Sequence, residues 1–378
     1  MFTECRVIIE SEECQMTTIS AKKLTVETSV CKNEPESGEL PLLWIQTAAG
    51  PQIGFGHLRR CMILAEELRG RVRAFFVLRP DDRWSAVPLK EQGFEYQNVD
   101  ISELWHDSAI HPNAIFIDTR LSDGLAAFIL KAQEKDIPVL SLHDLGLNPL
   151  RSDIAFDVSI AGASFGKLPA YMTFQGSEYM VLDPALHVPS RMSLRAGDEI
   201  RSIFVGLGGG DARKYFSRVL NGLQIWAAET KRDVLVTGMR GFVDWGQDDF
   251  NEETLRPLRF RWECGSAAGV LRNSDLAITS GGLSAYEALC SGTPLLALSW
   301  DSLQQKTIDL IAKARACVNL GAGDDLTPEL LAEQLKKIDG NVGARVSMAR
   351  NGMKIVDGLG AKRVADIIYK VIFPEELW

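Results

Sequence analysis

One histidine stands where a glycine-rich turn meets a helical segment. Gly54, Phe55 and Gly56 directly precede His57, and residues 57–68 repeat apolar side chains with the period of a helix. The positive end of the helix dipole disfavours the imidazolium form, so this ring is expected to be neutral and able to accept a proton. His57 is therefore a candidate general base. A histidine that merely begins a helix is the alternative interpretation.

A second glycine-rich turn follows the predicted strand 202–207 and precedes the predicted helix 211–227. Backbone N–H groups of such a turn can hold phosphate oxygens, although packing alone also explains many glycine turns. The turn is not a dinucleotide fingerprint, because Asp211 replaces the last glycine, and it is not a P-loop, because no Gly-Lys-Ser/Thr follows. Its candidate nucleotide-binding residues are Gly206, Gly208, Gly209, Gly210 and Asp211.

A third turn, Ser280-Gly281-Gly282, follows the predicted strand 276–279 and opens the predicted helix 284–289. Ser284 is the predicted N-cap of that helix. Glu287 is expected on the first turn and to point into the same cleft, where a carboxylate can accept hydrogen bonds from vicinal ribose hydroxyls. A carboxylate that only interacts with the helix dipole is the alternative.

Two further polar groups end predicted strands of the first half. Asp118 ends one of them, and His143-Asp144 ends another, so each is weighed as a ligand-contacting or a structural group. The spacing of histidines and carboxylates predicts no metal site, and no cofactor is expected. Surface positions are expected for the remaining histidines, which are His106, His111 and His187.

The overall composition is that of a globular, acidic protein. The chain has 378 residues, with 41 lysines and arginines against 50 aspartates and glutamates, and a formal net charge of −9. At roughly 150 residues per domain, this length predicts about two domains. The charge and the lack of a basic cluster argue against nucleic acid as a partner. A small anionic ligand remains compatible, because backbone N–H groups are enough to bind it.

The cysteines and the apolar segments indicate a cytoplasmic location. The seven cysteines contain no C-x-x-C pair, and Cys61 and Cys290 are expected to be buried thiols in a reducing compartment. No run of about 18 apolar residues predicts a membrane span, and the N-terminus lacks a signal-peptide pattern. We expect a monomer.

Predicted strands and helices alternate along the chain, which is typical of parallel sheets with right-handed crossovers. One array begins at Pro41 and a second begins near Arg201, with a proline-containing boundary between them. The fold class is therefore α/β, with two doubly wound, Rossmann-like domains that face each other across a cleft. The predicted divisions are 1–40 (an N-terminal extension without an assigned function), 41–188 and 189–378.

Several of these motifs together resemble a known family. Residues 52–57, followed by Arg60, Leu64 and Ala65, resemble the opening motif of the UDP-sugar hydrolase PseG of pseudaminic acid biosynthesis and of the related SpsG proteins. The turns at 206–211 and 280–282, with Glu287, resemble their second-domain motifs. The similarity extends over residues 42–370. It implies the GT-B architecture of MurG-type glycosyltransferases.

The resemblance also implies a ligand and its binding residues. A UDP-sugar would lie in the cleft, with its diphosphate at 206–210, its ribose at Glu287 and its uracil at the backbone of 264–267. Gln305 would touch the sugar or the diphosphate, and the remaining substrate contacts would come from Gly54, Phe55, Gly56 and Asp118. His57 matches the family's base, which activates water to attack the anomeric carbon so that UDP leaves without a metal.

Two departures from the family pattern lie on the sugar side. Gln46-Thr47-Ala48 stands in place of an Arg-x-Asp pattern, and Thr119-Arg120 follows Asp118 in place of His-Tyr. Because the turn through His57 is fully kept, we expect a UDP-sugar hydrolase of surface-glycan synthesis. Two alternatives stay open: a GT-B glycosyltransferase, and a non-catalytic nucleotide-sugar-binding protein, which the departures motivate. A nicotinamide-dependent enzyme rests on glycines alone and is disfavoured.

Overall fold

The computed structural model describes residues 39–105, 111–121, 123–143, 150–161, 170–187, 199–208, 212–240 and 255–374. The chain divides into the compact units Met1–Glu39 and Leu40–Trp378. The first unit, and with it most of the extension predicted over 1–40, lies outside the described residues apart from its last residue. All elements described below belong to the second unit.

Seven parallel strands form the N-terminal sheet, in the order β3-β2-β1-β4-β5-β6-β7. The strands are β1 (Leu42–Thr47), β2 (Arg73–Leu78), β3 (Glu95–Asn98), β4 (Ala114–Asp118), β5 (Val139–His143), β6 (Ile154–Asp157) and β7 (Met172–Gln175). The helices of this half are α1 (Gly56–Glu67), α2 (Arg83–Glu91) and α3 (Leu125–Gln133).

Six parallel strands form the C-terminal sheet, in the order β10-β9-β8-β11-β12-β13. The strands are β8 (Ser202–Gly206), β9 (Val234–Met239), β10 (Leu258–Glu263), β11 (Leu276–Ser280), β12 (Leu295–Ser299) and β13 (Val318–Ala322). The helices are α4 (Arg213–Thr230), α5 (Ala268–Leu271), α6 (Leu283–Ser291), α7 (Ser302–Lys313), α8 (Pro328–Asp339), α9 (Val342–Ile355) and α10 (Gly360–Ile372).

Three apolar cores hold these layers together. One covers the outer face of the N-terminal sheet and includes Trp44 and Phe128. A second covers the outer face of the C-terminal sheet and includes Trp226. The third, which we call the shared core, contains side chains from both sheets and from α1, α6 and α10, among them Phe116 and Phe204. The two halves are therefore joined by a common apolar interior.

The C-terminal helix α10 returns to the N-terminal half. It packs against α1 and β4. Asp366 accepts a 3.5 Å hydrogen bond from Arg71, and the Arg71 guanidinium lies 5.2 Å from the centre of the Tyr369 ring. At the start of the helix, a Cβ on Gly360 would overlap the Met180 carbonyl oxygen, so only glycine permits this approach. This packing fixes the position of α1, the helix that carries His57.

The predicted alternation and the doubly wound fold class are confirmed. The predicted strands 202–207 and 276–279 correspond to β8 and β11 and differ from them by one residue at the carboxyl end, because such central strands are buried and appear in the sequence as continuous apolar runs. The helix expected over 211–227 begins at Arg213 and continues to Thr230. The division between 188 and 189 falls outside the described residues and stays a prediction.

Candidate functional site

Each sheet has one place where the strand order reverses. The chain proceeds outward from β1 to β3 and then returns to β4 on the other side of β1, and the C-terminal sheet repeats this pattern at β8 and β11. The carboxyl ends of the strands at such a point diverge and leave a crevice for ligands. The three turns singled out in the sequence follow β1, β8 and β11. The fold therefore brings all three to these two crevices.

The turn after β1 places His57 at the start of α1. Gly54 has a φ of +76°, a conformation that favours glycine, and its N–H donates a 2.7 Å hydrogen bond to the Gly50 carbonyl. Phe55 is the N-cap of α1 and its side chain makes no capping hydrogen bond. His57 is the second residue of the helix, as the sequence predicts, and only 8% of it is exposed.

His57 belongs to a buried cluster with Asp118 and Arg60. Thr47, the last residue of β1, pairs with Asp118 at the end of β4, which brings Asp118 beside the start of α1. The Nδ1 atom of His57 lies 2.6 Å from Oδ1 of Asp118. Arg60 donates to both carboxylate oxygens, at 2.8 Å from Nε and 2.9 Å from Nη2. The cluster therefore joins a base, a carboxylate and a bidentate cation.

The charge of Asp118 determines which tautomer of His57 is present. Burial alone would raise the pKa of Asp118, but the charges of Arg60 and His57 and the hydrogen bonds from them outweigh this effect and hold the pKa below its usual value. Asp118 is therefore a carboxylate that only accepts hydrogen bonds. Nη2 of Arg60 also lies 3.0 Å from Nδ1 of His57, but the shorter 2.6 Å contact between Nδ1 and Asp118 is favourable only with a proton on Nδ1. The Nε2 atom then has the free lone pair that a general base requires.

Asp118 ends β4, as the sequence predicts, and its predicted contact with substrate stays a prediction. Its side chain is fully buried and both oxygens are bound within the cluster. In this position it orients the imidazole ring. Arg60 acts on His57 indirectly, because its positive charge compensates the buried negative charge of Asp118.

The departures on β1 stand beside this cluster. Gln46 and Thr47 are both buried at the carboxyl end of the strand. Within the described part of the chain, Oε1 of Gln46 has no hydrogen-bond partner. These side chains place amide and hydroxyl groups, without a formal charge, at the edge of the first crevice.

The turns after β8 and β11 lie side by side in the second crevice. Gly206 pairs with Thr279 in the sheet, and a Cβ on Gly206 would lie 3.3 Å from Cβ of Ser284. Gly208 has a φ of +96°, and a Cβ there would lie 3.7 Å from Oγ of Ser280. The structure thus brings Gly206, Gly208 and Ser280 together. Gly209, Gly210 and Asp211 lie outside the described residues, and their predicted phosphate contacts stay predictions.

The start of α6 corrects one detail of the prediction. The N-cap is Gly282, in an extended conformation, and not Ser284, which is the second residue of the helix. A side chain at Gly281 would meet the backbone of α7, because its Cβ would lie 2.8 Å from the Gln304 carbonyl oxygen. Gly281 therefore allows α7 to pack directly against the turn at the start of α6.

Glu287 lies on the second turn of α6 and not on the first as predicted. Only 2% of the surface of Glu287 is exposed to solvent. Burial raises the pKa of the Glu287 carboxyl above its usual value. The charge of Arg59 and a hydrogen bond with Ser284 oppose this rise, whereas the charge of Asp183 adds to it. Nη2 of Arg59, which belongs to α1, lies 3.4 Å from Oε1 of Glu287. This ion pair joins the two halves across the crevice.

Gln305 is already engaged within its own half. Its Oε1 accepts a 2.6 Å hydrogen bond from Oγ of Ser299, and its Nε2 donates a 2.8 Å hydrogen bond to Oδ1 of Asp309. One N–H and one lone pair of the amide are not used by these two bonds, and the predicted contact of Gln305 with a sugar or a diphosphate stays a prediction.

Two of the remaining histidines make hydrogen bonds with neighbouring groups. His143 is buried, with Nε2 at 2.8 Å from Oγ of Ser141, and Asp144 lies outside the described residues. His187 donates from Nδ1 to the Asp357 carbonyl at 2.6 Å, and His111 is exposed. His106 is outside the described residues as well. Among the residues that the structure describes, no group of three or more histidine, cysteine or carboxylate side chains could hold a metal ion.

Sequence reasoning assigned no role to Arg59 or Arg60. The spacing of His57 and Arg60, three residues apart on one helix, places both on the same face, so this signal was present. No comparable signal marks Arg59. Its contact with Glu287 depends on how the two halves meet, which a local pattern does not contain.

Comparison with known proteins identifies the fold and one relative that spans most of the chain. The spore coat polysaccharide biosynthesis protein SpsG of Bacillus subtilis is 27% identical over 338 residues, which are 84% of this chain and 95% of SpsG. MurG of Acinetobacter baumannii has the same fold, with a TM-score of 0.64 and 15% identity over 87% of this chain and 99% of MurG. The chain has the GT-B fold. The predicted resemblance to SpsG is confirmed.

Other GT-B structures are similar over a comparable length. Anabaena HepE, solved in complex with UDP-glucose, has a TM-score of 0.56 and 13% identity, with 86% of this chain and 98% of HepE covered. No family model matches the chain. Among the described residues, no helix has both the length and the apolar character needed to cross a membrane.

Proposed function

We propose that this protein is an enzyme of polysaccharide biosynthesis that uses a nucleotide-activated sugar and cleaves its anomeric C1–O bond, with His57 as the base. The similarity to SpsG supports the polysaccharide context. A GT-B structure that holds UDP-glucose supports the nucleotide-sugar class, with UDP as the nucleotide.

The observation that carries the proposal is the buried cluster of His57, Asp118 and Arg60. A carboxylate bound to Nδ1 fixes the ring and stabilises the imidazolium that forms when Nε2 takes a proton. In the proposed reaction, Nε2 removes a proton from an oxygen nucleophile as that oxygen attacks C1. The electron pair of the C1–O bond leaves with the diphosphate, whose charge the N–H groups of the β8 and β11 turns would stabilise.

Water is the nucleophile that we favour, because the opening motif through His57 resembles that of the UDP-sugar hydrolases in full. A hydroxyl-bearing acceptor is the second candidate, which the similarity to MurG and to other glycosyltransferases supports. The same base would serve both reactions. A non-catalytic nucleotide-sugar-binding protein is the third candidate, and the changed residues Gln46 and Thr47 on the sugar side motivate it.

The His57→Ala variant tests the proposed base. Turnover of a UDP-sugar should fall by about 10²- to 10⁴-fold, while the dissociation constant of UDP stays within about twofold of the wild-type value. Turnover is measured by release of UDP and binding by calorimetry. A wild-type protein that binds UDP tightly but does not turn over UDP-sugars would instead support the non-catalytic candidate.

Product analysis separates the two enzymatic candidates. A hydrolase releases free sugar and UDP in equal amounts from donor and water alone, and in ¹⁸O-labelled water the label enters the sugar. A glycosyltransferase releases UDP at a comparable rate only when an acceptor is added. Release of UDP that depends strictly on an acceptor would rule out hydrolysis as the main activity.

A further inference from the structure

Two neighbouring arginines on α1 are engaged very differently. Arg60 is 2% exposed and donates to both oxygens of Asp118. Arg59 keeps 26% of its side chain exposed, and among the described residues its guanidinium makes no hydrogen bond. Its contact with Glu287 is an ion pair at 3.4 Å, which is longer than a charge-assisted hydrogen bond. The donors of Arg59 are therefore available for a better acceptor.

The acceptor that Arg59 now faces is a group with a proposed role of its own. Glu287 is the residue expected to bind ribose hydroxyls under the proposed function. Its side chain is only 3% exposed, and Arg59 compensates part of its buried charge. A ribose that donates two hydrogen bonds to this carboxylate would stabilise its buried charge in place of Arg59. Binding of the nucleoside would thus release Arg59.

The released guanidinium lies next to the turn proposed for the diphosphate. Ser284 contacts both sides: its hydroxyl forms a hydrogen bond with Glu287, and its Cβ lies 3.3 Å from the position of a Cβ on Gly206. A single side chain therefore separates the Arg59–Glu287 pair from the β8 turn. Rotation of the flexible arginine side chain is the movement that would carry its charge from Glu287 toward this turn.

The charge balance of the crevice favours such a cation. A nucleoside diphosphate would bring at least two negative charges beside Glu287, with Asp183 adding a further negative charge nearby. The β8 turn supplies N–H groups but no formal charge in its described residues, which are Gly206, Leu207 and Gly208. A guanidinium can form two parallel hydrogen bonds to phosphate oxygens.

We propose, on the basis of the proposed function, that Arg59 leaves Glu287 when the nucleotide binds and pairs with its diphosphate. Arg59 then distinguishes a nucleoside diphosphate from a nucleoside. It also stabilises the charge that develops on the leaving group when the C1–O bond breaks. The Arg59–Glu287 pair is the resting state of this exchange.

A comparison of two ligands tests the exchange. The dissociation constants of UDP and of uridine are measured by calorimetry for the wild type, Arg59→Met and Arg59→Lys. Arg59→Met should raise the dissociation constant of UDP by about 10- to 100-fold, as expected for the loss of charge-assisted hydrogen bonds. It should change the dissociation constant of uridine by less than about threefold. Arg59→Lys should recover part of the loss. The rate of UDP-sugar turnover should fall by at least the factor by which the affinity for UDP falls.

The matched control is Arg69→Met, because Arg69 follows the same helix but its exposed side chain pairs with Glu66 at 2.7 Å. It should leave both dissociation constants unchanged. If Arg59→Met weakens the binding of UDP and the binding of uridine by the same factor, Arg59 only supports Glu287 and the inference is wrong. If the wild type binds UDP no better than uridine, or binds neither, the fault lies with the proposed function and the inference falls with it.

Discussion

At the residue scale, the site depends on a carboxylate that has been removed from water. Asp118 is fully buried, and an isolated charge in that position would be strongly unfavourable. Arg60 makes it tolerable, because a planar guanidinium binds both carboxylate oxygens at once. This arrangement keeps Asp118 ionised and hence keeps Nδ1 of His57 protonated. The base and its buried support are therefore one unit.

A double-mutant cycle on Arg60 and Asp118 measures this dependence. Asp118→Asn should lower the free energy of unfolding by about 3–5 kcal/mol, because it leaves the Arg60 charge buried and unpaired. The double variant Arg60→Met with Asp118→Asn should cost about 1–3 kcal/mol less than the sum of the single variants. Urea-induced unfolding gives these values. Strict additivity would contradict a coupled pair.

Glu287 is a second buried carboxylate. Its contribution to stability changes with pH in the direction opposite to that of Asp118, because its pKa is raised and that of Asp118 is lowered. Burial raises its folded-state pKa above the usual value of 4.5, so the folded protein holds this proton more tightly than the unfolded chain does. Its contribution to stability is therefore favourable at low pH and is lost as the pH rises from 4.5 through the folded-state pKa. Glu287→Gln removes this titration.

The comparison of melting temperatures tests this sign. The melting temperature of the wild type minus that of Glu287→Gln should be more positive at pH 4.5 than at pH 7.5. The difference isolates Glu287, since all other carboxylates are common to both proteins. A difference that grows as the pH rises would mean that Arg59 outweighs the cost of burial.

At the element scale, the turn before α6 depends on one glycine more than on its neighbour. A Cβ on Gly281 would lie 2.8 Å from the Gln304 carbonyl oxygen and 3.0 Å from Cγ1 of Ile308, so α7 would have to move. A Cβ on Gly282 would meet only Oγ of Ser280 at 3.7 Å, which is an ordinary contact. The two positions therefore differ in packing.

Alanine substitutions at these adjacent positions form a matched pair. Gly281→Ala should lower the free energy of unfolding by about 1–3 kcal/mol through overpacking, and Gly282→Ala should change it by less than about 0.5 kcal/mol. Chemical unfolding measures both. Equal losses would show that the conformation of the turn, and not its contact with α7, requires glycine.

The elements that could be predicted from sequence share one physical property. Strands β1, β4, β11 and β12 are buried on both faces, so their sequences are uninterrupted apolar runs. Strand β3 is largely exposed and β10 alternates arginine with apolar residues, so neither stands out as a buried strand. The edges of the sheets therefore escaped prediction, while their centres did not.

The site was predictable to the same extent and for a related reason. His57 and the glycine turns follow central strands, and a doubly wound fold must bring those turns to its crevices. The pairing of Asp118 with His57 required the register of β1 against β4. The contact between Arg59 and Glu287 required the meeting of two halves of the chain. Both are tertiary facts that local sequence patterns do not encode.

At the scale of the whole molecule, the shared core makes the two halves depend on each other. It combines side chains of the N-terminal sheet, such as Leu43, with side chains of the C-terminal sheet, such as Leu295. Helix α10 contributes Val364 and Ile368 to the same core while it packs against α1. The last helix of the described chain therefore supports the helix that carries the proposed base.

Substitutions in two different cores test that dependence. Ile368 lies in the shared core and Leu335 of α8 lies in the outer core of the C-terminal sheet, and both are fully buried. Replacing either with alanine should cost about 2–5 kcal/mol. Native-state hydrogen exchange should show that Ile368→Ala speeds opening of β1 and β12 alike, because its cavity lies between the sheets.

Leu335→Ala should speed exchange chiefly in α4, β8 and β9, because the packing it disturbs covers only the outer face of the C-terminal sheet. Ile368→Ala should also lower turnover of a UDP-sugar, since a shift of α1 displaces His57 from its working position. Unchanged protection of β1 in Ile368→Ala would mean that the N-terminal sheet is stable without α10. In that case the position of α1, and with it the geometry of the His57 cluster, would have to be maintained by β1 and β4 alone.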